Sequence, residues 1–400
     1  MPDTRVTPTV LLGAEPGDHV GGPLRIERGL WTAKQRQSCA LHEIAYRACF
    51  KAELPAFFIS RLTQPGERVY DPFAGRGTTA VEAALQGRRV VSNDINPLSA
   101  ILARPRIAPP SLPAIRQRLA SLSLRDAPPP AADDPDLSPF YHPDTERELR
   151  ALREYLRQRA EAREEDDLDR WIRMVATNRL TGHSAGFFSA YTLPPNQAVT
   201  PERQRLINQR LGQTPPYRDV KALILRKSQQ LLRGLDEDTL ARMRRLAEDA
   251  IFLTAPAQCT PSISSESIAL TVTSPPFLNV VDYARDNWLR CWFNHINVRQ
   301  VAGQMSTHAS LDAWAEAMRA ALRELHRVTR PGGFVAFEVG EVRGGQLCLE
   351  EVVRQLGEAV GFEVVAILIN RQRFTKTSHI WGIANSRLGT NTNRIVLFRK

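Results

Sequence analysis

The thirty residues from Arg68 to Pro97 constrain the fold of this chain more than any other stretch. QPGERVYDPF reads as a turn followed by a short buried strand, Arg68 to Phe73. Gly75 and Gly77 make a tight loop, and TTAVEAALQG follows as a helix that Gly87 can terminate. RRVVSNDI is a second strand. NPLSAILA opens another helix, with Asn96 as N-cap and Pro97 in the first turn. Strand, helix and strand at this spacing form the unit of a parallel α/β sheet. With 400 residues, 42% of them hydrophobic, the chain can bury such a sheet and still carry a large insertion or a second domain.

The α/β pattern breaks after residue 107. Residues 125–139, RDAPPPAADDPDLSP, read as a linker. Residues 144–179 are helix-like and carry dense charge of both signs, which predicts a solvated face. Residues 181–202, aromatic and broken by Pro194 and Pro195, read as a loop. Tyr217 to about Phe252 reads as helix again. The chain therefore divides into residues 1–107, a mainly helical insertion at 108–255, and residues 256–400. In the last part SIALTVTSPPF is a strand running into a loop, 282–298 and 311–329 are helical, and RPGGFVAFEVG is a strand. LCLEEVVRQLGEAVG is an amphipathic helix, and GFEVVAILINRQ and NRIVLFRK are two closing strands. Residues 1–30 read as irregular, and residues 41–62 as mostly helical with Pro55 near a helix start.

No stretch of 18 apolar residues occurs, so a membrane span is not expected. The N-terminus lacks the basic and apolar regions of a signal peptide. The five cysteines form no CxxC pair and the eight histidines are scattered, which argues against a disulfide framework or a metal site and for a cytoplasmic setting. The net charge of +10 favours a polyanionic partner.

Two motifs carry chemistry. In Asp71-Pro72-Phe73-Ala74-Gly75-Arg76-Gly77-Thr78-Thr79 the glycines let the backbone approach a ligand closely, and the loop leads to a helix N-terminus that can bind a carboxylate or phosphate. Asp94, with Ile95 beside it, lies where a nucleotide-like ligand needs an acid for its ribose hydroxyls. No P-loop or full dinucleotide GxGxxG is present, which favours a ligand with a small carboxylate tail. In Thr273-Ser274-Pro275-Pro276-Phe277 two prolines stiffen the loop and remove two backbone donors. The carbonyl oxygens and the Ser274 hydroxyl make an acceptor-rich set suited to an NH2 group, and Phe277 offers a stacking face for a base turned out of a duplex.

Together these residues resemble the amino-methyltransferases that act on DNA. Asp71 to Thr79 matches the pattern DPFxGxGTT, through which that family binds S-adenosylmethionine (SAM), with Thr273 at the end of the other strand as a further expected cofactor contact. Ser274 to Phe277 matches its catalytic pattern [DNS]PP[YFW]. The resemblance implies a SAM-dependent methyltransferase fold, Rossmann-like, with a seven-stranded, mostly parallel sheet. It implies that FKAELPAFFISRL, with Lys51, helps hold the methionine end. It also implies that the serine form of the catalytic motif goes mostly with N4 of cytosine and the Asp or Asn form with N6 of adenine. The expected function is site-specific methylation of double-stranded DNA by base flipping, with a cognate restriction endonuclease as a possible partner. An RNA or protein methyltransferase, or a catalytically silent DNA-binding protein on the same fold, are the rival readings. The family often has an Asp near the strand before the catalytic loop. Here AIFLTAPAQCTPSISSES has none, and Asp249 just precedes it. Lys34, Arg36, the 181–202 loop, Lys376 and Arg394 are candidates for reaching a DNA backbone, and the insertion is the candidate recognition region.

Overall fold

The computed structural model describes residue 12 and residues 23–31, 39–46, 49–193, 197–276, 283–304, 310–340, 348–371 and 392–400. Its centre is one sheet of strands β1 (Leu24–Arg28), β2 (Arg68–Asp71), β3 (Arg89–Asn93), β4 (Ile251–Leu253), β5 (Ile268–Thr273), β6 (Thr329–Gly340), β7 (Glu363–Arg371) and β8 (Thr392–Arg399). Their order is β1-β7-β8-β6-β5-β2-β3-β4. All pairs are parallel except those of β8, which slots antiparallel between β6 and β7. Every residue of β5 (IALTVT) is buried, its two threonines included, as in a central strand covered on both faces.

The sheet has eight strands, not the expected seven. The extra one is β1, within the region read as irregular. Its alternation of buried Leu24 and Ile26 with exposed Arg25 is short, and only pairing with β7 gives it a strand's hydrogen bonds. β4 is the second departure. The expected helix from Tyr217 to about Phe252 is two helices, and its last residues join the sheet beside β3. Three residues are too few to show a period in the sequence.

Helices α1 (Glu53–Leu62), α2 (Thr78–Leu85) and α3 (Leu98–Ile107) belong to the first half. Helix α2 ends at Gln86, and Gly87 turns the chain at φ +78°, with its N–H on the Ala84 carbonyl at 3.1 Å. The Asn96 carboxamide oxygen accepts from Leu98 N–H at 3.0 Å, at the head of α3. Residues 41–46 do not extend α1 as expected: only 40–42 make a turn of 3-10 helix.

The next six helices are α4 (Leu112–Ser121), α5 (Pro143–Glu161), α6 (Asp167–Arg179), α7 (Pro201–Leu211), α8 (Val220–Leu231) and α9 (Glu237–Ala247). The charged stretch 144–179 is not simply a solvated face. Residues 171–179 of α6 are all buried, and Trp171 and Ile172 have no exposed surface. The charges are sewn together instead. Asp169, wholly buried, accepts from Arg159 Nε at 2.9 Å and from the Tyr155 hydroxyl at 2.8 Å. One continuous apolar core joins α3 to this helical block. Helices α10 (Tyr283–Asp286), α11 (Trp288–Phe293), α12 (Val298–Gln304), α13 (Leu311–Val328) and α14 (Leu349–Ala359) complete the chain. Among the described residues no helix is long and apolar enough to cross a membrane.

Candidate active site

Parallel strands put the loops after their C-terminal ends on one edge of the sheet, and neighbouring strands bring distant segments together there. Strands β2 and β5 are such neighbours, with Tyr70 beside Thr271. The glycine loop leaves β2 and the double-proline loop leaves β5. The two are bonded directly: the Thr273 hydroxyl donates to Asp71 Oδ1 at 2.6 Å. The Thr79 hydroxyl, in the first turn of α2, donates to the Val272 carbonyl at 3.0 Å. Both motifs therefore meet at one edge of the sheet although Asp71 and Thr273 lie 202 residues apart in sequence.

Asp71 is 1% exposed. Its Oδ1 also accepts the Phe73 N–H at 3.1 Å, while Oδ2 is buried with the Thr79 hydroxyl near it and gains no bond from it, because that hydroxyl's one hydrogen goes to the Val272 carbonyl. Burial pushes this carboxyl up to about 7, against the hydrogen bond from Thr273. An orphaned buried carboxylate oxygen is an acceptor waiting for a donor. Gly75 and Gly77 adopt φ +52° and +78°. For Gly77 the need is packing against α3: a Cβ there would meet the Ala103 Cβ at 2.3 Å. Gly77→Ala is expected to cost about 2–4 kcal/mol, from the left-handed backbone and the clash together. A fall in the urea midpoint of unfolding measures it.

Helix α2 begins at Thr78 with no side-chain cap, so its first N–H groups are open to an anion. Asp94 closes the loop from the other side. Its carboxylate accepts Gly75 N–H at 2.8 Å and Asn96 N–H at 2.9 Å. Each oxygen keeps a lone pair for a ligand hydroxyl. Burial raises this group to about 6, and the two backbone bonds oppose the shift. Ile95 is half-buried next to it. Pro72 offers its carbonyl to Asn93 Nδ2 at 3.1 Å, and the same Nδ2 reaches the Ala255 carbonyl at 2.9 Å, which ties the segment after β4 to the pocket. Asp249 is not part of this edge. It sits at the opposite end of β4 and pairs with Arg89 at 3.5 Å. Lys51 lies half-buried just before α1, near Glu53, and burial lowers its ammonium.

In the double-proline loop Pro275 is buried, and the Pro276 carbonyl accepts from Trp314 Nε1 on α13 at 3.0 Å, which fixes the loop. Ser274 is half-buried. Phe277 lies outside the described residues, as do Lys34, Arg36 and Lys376. Arg394 is engaged by the buried Glu350 carboxylate. In the 181–202 loop the described aromatics turn inward: Phe187 and Phe188 are 8% and 0% exposed.

Three residues near the motifs escape sequence reasoning. Glu338 follows Phe337, the register partner of Thr273, so it stands beside Ser274 and on the same face. It is 5% exposed, accepts Asn393 Nδ2 at 2.9 Å and has the Ser274 side chain beside it. Burial holds its carboxyl above the ordinary range. Arg106, wholly buried, donates to the backbone carbonyls of Leu41 at 3.0 Å and of Arg76, and so holds the back of the glycine loop. Tyr46 covers Gly75, its ring 3.6 Å from where a Cβ would stand. A lone acid in a strand or an Arg at a helix end carries no sequence signal of such roles.

A mostly parallel sheet with one late antiparallel strand, carrying a glycine loop after its central β2 and an acid after the next strand, is the SAM-dependent methyltransferase fold. Residues 25–101 match the family model described as DNA methylase, of the N6 and N4 type. Over 93 residues the chain is 33% identical to the Type II methyltransferase M.XycI of Xanthomonas campestris pv. cyanopsidis, which is 23% of this chain and 29% of that relative. The chain thus spans less than a third of the curated relative's length. Among solved structures, a TehB-like SAM-dependent methyltransferase from Corynebacterium glutamicum is 9% identical over 86% of each chain, at a TM-score of 0.31. A candidate DNA modification methylase from Thermus thermophilus, solved with SAM, is 22% identical over 36% of this chain and 53% of its own, at 0.24. Over the segment that carries the glycine loop, the chain is similar to the DNA amino-methyltransferases.

Proposed function

We propose that this chain is a site-specific DNA methyltransferase that uses SAM to methylate an exocyclic base amine in duplex DNA, with N4 of cytosine as acceptor. The observation that carries the reading is the 2.6 Å bond from Thr273 to Asp71, which joins the two motifs at one pocket. The chain's donor set suits SAM: Asp71 Oδ2 for an ammonium, the open head of α2 for a carboxylate, and Asp94 for ribose hydroxyls. When bound, SAM supplies an electrophilic methyl group on its sulfonium.

The remaining work falls to the chain's own atoms. An aromatic amine is a poor nucleophile because its lone pair is delocalised into the ring. Ser274 Oγ and the Pro275 carbonyl would accept its two N–H bonds and favour the pyramidal, localised form. With its hydrogen turned to the neighbouring Glu338 carboxylate, the Ser274 hydroxyl would keep its lone pairs for the amine. Glu338 thus acts as a positioning residue, and the buried carboxylate can take up, through the serine oxygen, the proton the methylated amine must lose. Glu338→Gln is expected to lower turnover by about 10²-fold or more, leave SAM affinity unchanged and move the acid limb of the pH–rate profile. An unmoved limb would leave Glu338 a packing role only.

The serine, in place of a carboxylate, supports cytosine through the family resemblance, whereas the matching family description covers both N6 and N4 enzymes. Expression in a methylation-deficient host, followed by sequencing that reads modified bases, tests base and site together. N4-methylcytosine at one recurring sequence is the expected result. N6-methyladenine would move the assignment to adenine, and unmodified DNA would refute it. The helical insertion is the proposed recognition region, and a cognate restriction endonuclease the proposed partner.

A further inference from the structure

Beside the glycine loop lies a group of cations that the reaction does not use. Asn178, next to the end of α6, clasps Ala45 with Oδ1 on its N–H at 3.2 Å and Nδ2 on its carbonyl at 3.0 Å. Arg290 of α11 donates to the same carbonyl at 3.0 Å and lies 5.8 Å from the Tyr46 ring. Arg179 lies alongside, stacked 4.0 Å over Phe187. Lys227 of α8 adjoins it and reaches Glu43 only at 3.7 Å. Arg226 binds the Ala185 carbonyl at 3.0 Å and, with Arg233, forms an exposed rim.

Arg179, Lys227 and Arg290 are 9%, 6% and 8% exposed. Among the described residues the carboxylates facing these five cations are Glu43 and, beside Arg290, Asp286, which leaves a surplus of three positive charges. Packing like charges out of water costs free energy. Here burial and then the neighbouring cation lower Arg179 to about 10 and Lys227 to about 8. The arrangement resembles an anion site more than a structural ion-pair network, in contrast to Asp169, where each arginine also meets a second carboxylate. It borders the candidate active site through Tyr46, and a duplex delivering a base to that pocket must lay its backbone on the surrounding surface.

We infer that the Arg179–Arg226–Lys227 group, between α6 and α8, holds backbone phosphates of the DNA duplex whose base is being methylated. The inference rests on the proposed function, because it takes the polyanion to be DNA. The test is binding of fluorescent mixed-sequence duplex DNA by anisotropy, across about 50 to 200 mM salt, alongside SAM binding and thermal melting. Lys227→Met is expected to weaken binding about tenfold and reduce the slope of log K against log salt by about 1. Its melting temperature is expected to hold or rise, because a buried like charge is removed. Arg226→Gln, exposed and so harmless to folding, is expected to reduce the slope similarly. Glu43→Gln is expected to tighten binding, while SAM affinity stays unchanged in all three. Parental slopes in both cation variants, or a lowered melting point with unchanged DNA binding in Lys227→Met, would overturn the inference and leave the methyltransferase reading standing. A parent chain that binds SAM but no duplex would overturn both.

Discussion

Ser274→Ala is expected to lower methyl-transfer turnover by roughly 10²- to 10³-fold, as removal of one preorganised acceptor at a reacting centre does. SAM affinity should change less than about twofold, because the SAM-binding set lies on the β2 side of the Asp71–Thr273 bond and Ser274 on the other. Single-turnover rates at saturating SAM, on protein shown by melting to be folded, separate the two effects. Turnover equal to the parent's would remove Ser274 from the chemistry.

Asp71→Asn carries the second large effect and acts on the other ligand. A buried charged hydrogen bond to an ammonium contributes about 2–3 kcal/mol, so SAM affinity should fall about 30- to 100-fold. The asparagine oxygen can still accept from Thr273 and Phe73, which keeps the loop in place. The free protein should respond in the opposite direction. With its carboxyl at about 7, well above an unfolded aspartate, the folded state binds the extra proton and the parent loses stability as pH rises from about 4 to 7. The asparagine variant escapes that loss, so its urea midpoint should exceed the parent's at pH 8 and converge with it near pH 4. Binding is linked the same way. The ammonium favours the ionised acid, so SAM binding releases a proton and weakens as pH falls below about 7. Calorimetry in buffers of different ionisation enthalpy reads that proton directly. A pH-independent affinity in the parent would show that Asp71 does not meet the ammonium.

Much of the site was legible in the sequence because the needed residues cluster in short runs whose backbone demands are local. Asp71 to Thr79 announces a glycine turn between strand and helix, and Asp94 follows at one strand's distance. The structure puts Gly75 N–H on that acid at 2.8 Å. The reason for Gly77 was not legible, since Ala103 approaches it from the next helix. The charged run 144–179 misled for a related reason. Periodicity shows charge but not its partner, and Asp169 is buried only because arginines from α4 and α5 converge on it.

The sequence alone determined the strand–helix–strand unit at 68–107, the glycine turn, the double-proline loop and the acid after β3, because each follows from dihedral preference and burial period within a few residues. Tertiary structure alone decided that β1 and β4 extend the sheet, that Thr273 bonds Asp71, and that Glu338 stands beside Ser274. These are contacts between strands adjacent in the sheet and distant in the chain, and no local preference encodes which strand becomes whose neighbour.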